Sequence, residues 1–424
     1  MEKLFNILEN ATSQFHTVSA VEEELLEQGF EALKLRDNWD LKRGGKYFLN
    51  QYGSSIFAFT IGEEFKAEDG YRIGASHGDF PAFRIKPNAG MENGGYLQLN
   101  TEPYGGLILS SWMDRPLSVA GRVVLKSDDV FHPDVRMIDM KRPVLIIPNL
   151  AIHFDREINS GKDFKKQVDM IPIYATSGEG LTKESFMTAV AKELGAELSD
   201  ILDYELTIYP TDKPEFVGLN AEFVSSPRLD NITSTQALVE GITAANRKSG
   251  INMMCVFDHE EIGSRSKQGA CSTMLPHVIE KIYLSLGYTL LDMKNAMDDS
   301  MLMSVDVSHA YHPNYGGKYD VTNRHIMNKG FAIKEACSQS YATDCEAIAI
   351  VQQICDKEGI AYQKFAKHSD SAGGGTLGCI SSAVLPIRTV DIGVPLWGMH
   401  SSRETMGVKD YEALVAYMKA YYSL

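Results

Sequence analysis

The chain has 424 residues, 44% hydrophobic and 23% charged, which predicts a globular protein with a large core and two domains. Its 41 basic and 56 acidic side chains give a formal charge of −15, which argues against sequence-independent nucleic-acid binding and leaves room for a local basic pocket. The opening segment lacks the apolar core and cleavage site of a secretory leader, and no run of about 18 apolar residues could span a membrane. The six cysteines (255, 271, 337, 345, 355 and 379) are scattered without a Cys-x-x-Cys. For a chain of this size that predicts reduced thiols, mostly small core residues, in a cytoplasmic enzyme.

Residues 1–30 read as helical, with Ser19-Ala-Val-Glu22 as a capping box that places Val21, Leu25 and Leu26 on one side. Strand-like pieces follow at 46–49, 55–60 and 71–74. From about residue 90 to 225 short apolar runs (95–99, 119–125, 144–147, 204–209) alternate with Gly, Pro and Asn clusters, a β-rich texture. One helix interrupts it, capped by Thr182 and carrying Phe186, Val190 and Leu194 at helical spacing, and 155–169 reads as a solvated loop.

After residue 230 helices and strands alternate: helix 233–248 before strand 251–257, helix 276–287 before 301–305, helix 344–357 before 360–366, and helix 376–385 before 388–394. That alternation predicts an α/β fold, a mixed sheet with helices on both faces. The early strands join this sheet. The expected organisation is a discontinuous catalytic domain, 1–90 with 226–424, and an inserted β-rich domain, 91–225.

Open α/β sheets place their chemistry beyond the carboxyl ends of the strands. The residues past the apolar runs are Ser76-His77-Gly78-Asp79, then Asp258-His259-Glu260-Glu261, then Asp306 with His309, and His400 after 388–394. Asp230 opens the helix before 251. Adjacent carboxylates such as Glu260 and Glu261 repel each other unless a cation or a proton intervenes. Imidazole and carboxylate ligands suit zinc, with cobalt or manganese as alternatives. A pair of such ions about 3.5–4 Å apart activates water and polarises a carbonyl, and a free carboxylate beside them serves as base. Any one of these acids alone is more often a cap or a surface charge; their joint placement after successive strands carries the reading.

Several segments resemble the aspartyl aminopeptidase family of metallopeptidases. They are Ala11-Thr-Ser-Gln-Phe-His-Thr-Val-Ser19, Ser76-His-Gly-Asp79, Arg228-Leu-Asp230-Asn231, Asp258-His-Glu-Glu-Ile-Gly-Ser264, Asp306-Val-Ser-His309-Ala-Tyr-His312-Pro-Asn-Tyr315 and Met399-His-Ser-Ser-Arg-Glu404. The resemblance implies a two-metal aminopeptidase acting on the N-terminal residue of peptides. Asp230 would bridge two divalent ions, and His77, Asp306, Glu261 and His400 would complete the two sites, with the division of the terminal ligands left open. Glu260 would be the general base. Asp79 would hold the His77 ring in its tautomer. His309 would polarise the substrate carbonyl or, equally, serve as a structural histidine beside Pro313. His153, in Asn149-Leu-Ala-Ile-His153, resembles a residue that reaches a neighbouring subunit's site, which implies a homo-oligomer, a dodecamer. The inserted domain would then serve assembly and cover the site. Lys334 stands where the family has a basic residue facing the substrate's first side chain; a solvated lysine is the alternative. The resemblance favours Asp or Glu as that residue, although relatives of this kind also take neutral ones.

Two departures bear on the expected pocket: Phe257-Asp258-His259 before the paired glutamates, and the glycine-rich run 370–378. His259 has no assigned role. Two other chemistries compete. Gly74-Ala-Ser-His-Gly78 fits a nucleophile elbow, and Ser76, Asp306 and His400 follow the order of an α/β serine hydrolase, but the elbow comes early and leaves the other acids without work. Gly373-Gly-Gly-Thr-Leu-Gly378 with Asp391 fits a dinucleotide fingerprint, but only 46 residues follow Gly378, too few for the rest of such a domain. A scaffold that has lost its activity is a third reading, opposed by the intact Glu260, His77 and His400.

Overall fold

The computed structural model describes residues 1–371 and 373–424. Nine strands form one mixed sheet in the order Glu31–Ala32, Lys46–Gln51, Ser55–Ile61, Ile251–Phe257, Tyr71–His77, Met301–Val305, Arg388–Gly393, Phe331–Glu335 and Tyr362–Ala366. Its central four strands, Ile251–Phe257, Tyr71–His77, Met301–Val305 and Arg388–Gly393, run parallel. Their carboxyl ends therefore share one edge.

The sheet is covered on both faces, as a parallel sheet must be to hide its apolar surface. Ile251–Phe257 is buried throughout. Its side chains alternate between two cores: Met254 and Val256 pack into one, Met253, Cys255 and Phe257 into the other. The first core contains the helices Glu2–Asn10, Gln14–Glu27, Leu229–Thr243, Cys345–Glu358 and Val408–Tyr421; the second contains Met274–Ser285, Leu290–Ala296 and Leu377–Val384. Burial of each large aliphatic or aromatic side chain there contributes about 1.5–3 kcal/mol.

A second sheet of six strands has the order Asp134–Asp139, Leu117–Leu125, Ile201–Pro210, Ala82–Asn93, Tyr96–Tyr104 and Ile173–Thr176. Its strands come from 82–210. Glu215–Val217 and Phe223–Ser226 lie instead in a small third sheet with Glu404–Gly407, Pro395–Trp397 and Ser308–His309.

Several local expectations are corrected. Ser19 does not open a helix: Ser13 caps Gln14–Glu27, its side chain accepting from the His16 amide, and Ser19 Oγ donates to the Phe15 carbonyl inside the helix. The buried stripe Phe15, Val18, Val21 and Leu25 extends the helix upstream, while Leu26 is exposed. Residues 144–147 make only isolated bridges, because Pro143 and Pro148 bracket the run and cannot donate to a ladder. Thr182 is not a cap; the helix begins at Ser185, and the Thr182 hydroxyl oxygen accepts from the Glu184 amide. The loop 155–169 contains the short turns Ile158–Ser160 and Lys166–Asp169. The helix before Ile251 spans Leu229–Thr243 rather than 233–248. All six cysteines are free, but only Cys255 and Cys355 are buried, so most are not core residues. No helix among the described residues is long and apolar enough to cross a membrane.

Candidate metal centre

The shared strand edge carries the chemistry. His77 is the last residue of Tyr71–His77, Asp306 follows Met301–Val305, and Glu260 and Glu261 lie in the short turn after Ile251–Phe257. Asp230 stands at the start of Leu229–Thr243, where it and Asn231 depart from helical geometry. His400 is not at the tip of Arg388–Gly393. It occupies the turn between Pro395–Trp397 and Glu404–Gly407 of the third sheet.

These side chains converge on two groups that share one residue. His77, Asp230 and Asp306 offer one set of ligand atoms within 4.8 Å of one another, and Asp230, Glu261 and His400 offer a second. The His77 Nε2 lies 3.6 Å from Asp230 Oδ1 and 3.7 Å from Asp306 Oδ1. The His400 Nε2 lies 3.5 Å from Asp230 Oδ2 and 3.3 Å from Glu261 Oε2. The two oxygens of Asp230 thus face different histidines. A third grouping, His77 with Glu260 and Glu261, is looser on its Glu260 side, where the His77 Nε2 to Glu260 Oε2 separation is 3.9 Å.

Both imidazoles are oriented from behind. The Nδ1–H of His77 donates to the Asp79 carbonyl at 3.1 Å, and that of His400 donates to the Gly106 carbonyl at 2.8 Å. Each Nε2 lone pair is then left pointing at the carboxylates, the tautomer a metal needs. Asp79 is buried and accepts from the Tyr104 hydroxyl (2.7 Å) and from the Glu260 and Glu261 amides (3.2 Å each). Glu404, also buried, accepts from the amides of Asp230 (2.9 Å) and His400 (2.8 Å).

The donor set fits a divalent cation. Asp230 Oδ1 and Glu261 Oε1 are buried with no hydrogen-bond partner, a costly state for carboxylate oxygens unless a cation meets them. In the metal-free protein the crowding appears in proton affinities. Burial, followed by neighbouring carboxylates, pushes Glu260 up to about 8 and holds Glu261 well above its ordinary range, with His77 opposing. Burial disfavours the charged form of His400, but Asp230, the Gly106 carbonyl and Glu404 together outweigh it and bring the ring to about 9. His77 is likewise raised, against burial, by Asp306, Asp79 and Glu260. A divalent metal would displace these protons and supply the missing positive charge.

The paired glutamates differ. The Glu261 side chain is 4% exposed and the Glu260 side chain 17%. Both line a cavity of about 680 Å³ with His309, Lys334, Tyr341 and Gly374. A larger apolar groove of about 820 Å³, lined by Tyr96, Met140 and Phe186, lies on the six-stranded sheet and contains none of the clustered ligands.

Lys334 is not solvated. It is 1% exposed, and its ammonium donates to the Asp306 and Val307 carbonyls at 3.1 and 3.3 Å, leaving one N–H free. His309 presents its ring to the cavity. His153 is exposed and is not among the residues lining its own chain's cavity.

Ser76 is fully buried, its hydroxyl 2.9 Å from Thr235 Oγ1, with no hydrogen bond to His400; the serine-hydrolase reading fails. Asp391 is buried against Thr376 and the Ala342 amide, not free to meet a ribose. Gly374 and Gly375 do line the cavity, while Ala372 of the same run lies outside the described residues. Asp258 and His259, expected to line the pocket, do not. His259 is held in a left-handed conformation (φ 63°) with its ring on Ser266 Oγ at 2.8 Å. It turns the chain so that the next two amides meet Asp79.

Tyr104, Gly106 and Glu404 had no assigned role in the sequence. Glu404 stood within a quoted motif. Tyr104 and Gly106 offer only Tyr-Gly-Gly after the polar stretch Asn100-Thr-Glu-Pro103, a pattern with no chemical content until the six-stranded sheet is placed over the site.

A family model described as "Aminopeptidase I zinc metalloprotease (M18)" matches residues 7–422. A probable M18 family aminopeptidase 2 of Clostridium novyi is 42% identical over 100% of this chain and 98% of its own. Aspartyl aminopeptidase 4 of Saccharomyces cerevisiae is 35% identical over 99% of this chain and 94% of its own. Among solved structures, a chain of the Ape4 and Nbr1 complex superposes with a TM-score of 0.95 at 33% identity, covering 99% of this chain and 84% of that one. A chain of the S. cerevisiae mApe1 dodecamer shares the fold at a TM-score of 0.86 and 24% identity, covering 99% of this chain and 95% of that one.

Proposed function

The chain belongs to the M18 family of zinc aminopeptidases, and we propose that it releases the first residue of peptides with two divalent ions, zinc with cobalt or manganese as alternatives. The observation that supports two ions is Asp230, whose two oxygens serve two separate ligand groups. His77 and Asp306 would hold one ion with it, Glu261 and His400 the other. When bound, the ions supply Lewis acidity toward water and toward the peptide carbonyl.

Glu260, the more open of the pair, accepts the proton of the attacking water and returns it to the leaving amine. Asp79 holds the His77 ring and both glutamate amides in place. His309 polarises the carbonyl, and the free N–H of Lys334 faces the first side chain, which favours Asp or Glu there. Residues 1–90 and 226–424 form the catalytic domain. Residues 91–225 form an inserted domain for assembly and for covering the site, within a homo-oligomer, a dodecamer in which His153 reaches a neighbouring subunit. The cytoplasm is the proposed compartment, in keeping with six free cysteines.

One panel tests this reading: aminoacyl arylamides of differing side chain, with and without chelator, then with each metal restored. Activity on acidic residues that vanishes with chelator and returns at two ions per chain is expected. Chelator-resistant turnover, or full recovery at one ion, refutes it.

A further inference from the structure

Lys334, Tyr341 and Thr376 bring three chain segments to the cavity, and one buried carboxylate touches or faces all three. Asp391, on Arg388–Gly393, is fully buried and does not line the cavity. One carboxylate oxygen accepts from the Thr376 hydroxyl and the other from the Ala342 amide at 2.7 Å. Its own amide donates to Thr343 Oγ1 at 3.0 Å. Across the ladder it is registered directly opposite Lys334, so the two side chains emerge on the same face of the sheet. Lys334, Tyr341 and Thr376 all line the cavity.

The surrounding contacts leave this group little freedom. A Cβ on Gly378 would lie 2.7 Å from the Asp391 carboxylate, so the helix Leu377–Val384 sits directly on it and the glycine is required. The Thr376 amide donates to the Ser340 carbonyl at 3.2 Å, and Lys367 donates to Ser340 Oγ at 3.0 Å and to the Gly374 carbonyl, tying the two loops together. Tyr341 lies between two ammonium groups, Lys334 at 5.0 Å and Lys367 at 4.5 Å from its ring centroid. Two cations beside one aromatic ring need counter-charge, and two buried acids neighbour Lys334: Asp306, whose carbonyl it meets, and Asp391, registered opposite it.

We propose that Asp391 is the positioning residue of the pocket for the substrate's first side chain: through Thr376 and Ala342 it fixes the two loops of that wall, and with Asp306 it balances the charge of Lys334. The inference rests on the reading of Lys334 as the residue that faces that side chain. A neutral amide at 391 cannot accept on both sides, since one of its two ends becomes a donor. One of the two loops is then released, and Lys334 keeps Asp306 but loses the second of its buried acid neighbours.

The test uses the full-length, zinc-loaded enzyme with Asp391→Asn, Thr376→Val, Thr376→Ser and Lys334→Met. kcat and KM are measured separately on Asp, Glu, Leu and Ala arylamides, together with zinc content. Loss of a hydrogen bond to a charged group predicts a KM rise of about tenfold for Asp391→Asn and Thr376→Val. The rise should grow with the size and charge of the first side chain, with zinc content unchanged. The Asp391→Asn, Thr376→Val double variant should be no worse than Asp391→Asn alone, and Thr376→Ser, which keeps the hydroxyl, should keep the wild-type preference. A uniform fall in kcat for all substrates, or an unaltered preference, overturns the inference; Thr376→Val decides the matter if Asp391→Asn does not fold. An unaltered preference in Lys334→Met removes the reading of Lys334 and the inference with it. A shift in Lys334→Met with none in the Asp391 and Thr376 variants refutes the role of Asp391 alone.

Discussion

Tyr104→Phe removes one oxygen atom from the six-stranded sheet, yet its effect should be read at the metals. Tyr104 ends Tyr96–Tyr104 and donates at 2.7 Å to Asp79 Oδ2. That carboxylate in turn lies 3.3 Å from His77 Nδ1 and accepts the Glu260 and Glu261 amides. A hydrogen bond to a charged group contributes about 1.5–3 kcal/mol. The two amides remain after the substitution, so the lower part of that range applies, about 1.5–2 kcal/mol. If the whole of it is expressed in the geometry of His77 and the glutamates, zinc affinity falls about 10- to 30-fold, within the range for outer partners of metal ligands. The ring packing is retained, since Arg84 stacks 5.0 Å from the Tyr104 centroid and needs no hydroxyl. Competition against a chromophoric zinc chelator measures the affinity, and thermal unfolding of the metal-free protein separates out any general loss of stability. Zinc affinity within twofold of wild type would refute the reasoning, showing that the catalytic sheet organises Asp79 without help from the second sheet.

Two further outcomes are expected. Glu260→Gln should keep full zinc content and lose about 10²- to 10⁴-fold in kcat, the usual contribution of a general base; near-normal turnover in a zinc-replete variant would remove Glu260 from the role. In the metal-free protein the proton affinities of His77, His400 (about 9) and Glu260 (about 8) are raised, so these groups carry protons at neutral pH that bound metal must displace. Zinc affinity should therefore rise with pH from 6 to about 9, with net proton release at pH 7. Calorimetry in buffers of differing ionisation enthalpy counts the protons, and a pH-independent affinity contradicts the site as described.

Much of this was legible in the residues alone. The largely apolar run Ile251–Phe257 predicted a strand, and its bounds agree with the structure, which buries it throughout. The alternation after residue 230 implied an α/β sheet, and the rule that such sheets carry their chemistry beyond the strand ends put His77, Glu260, Glu261 and Asp306 on one edge. These are local patterns joined by a topological rule, so no coordinates were needed. Helix starts were less legible: Ser19 and Thr182 have the right chemistry for caps, but packing of Phe15 and Phe186 decided where the helices began.

Other features depended on contacts between residues far apart in the chain. No spacing links Tyr104 to Asp79 or Gly106 to His400, which meet only after separate sheets have packed, nor Asp391 to both Thr376 and Ala342, which meet only when two loops fold against its strand. The burial of Lys334 likewise follows from its place between Asp306 and Tyr341, not from the residues beside it in the chain. The sequence by itself determined that His77, Glu260, Glu261 and Asp306 follow strands, since periodicity is encoded locally, whereas His400 was moved to the third sheet. Only the tertiary structure decided how those groups are oriented and which oxygens go unpaired, since hydrogen bonding and desolvation depend on neighbours that local sequence does not name.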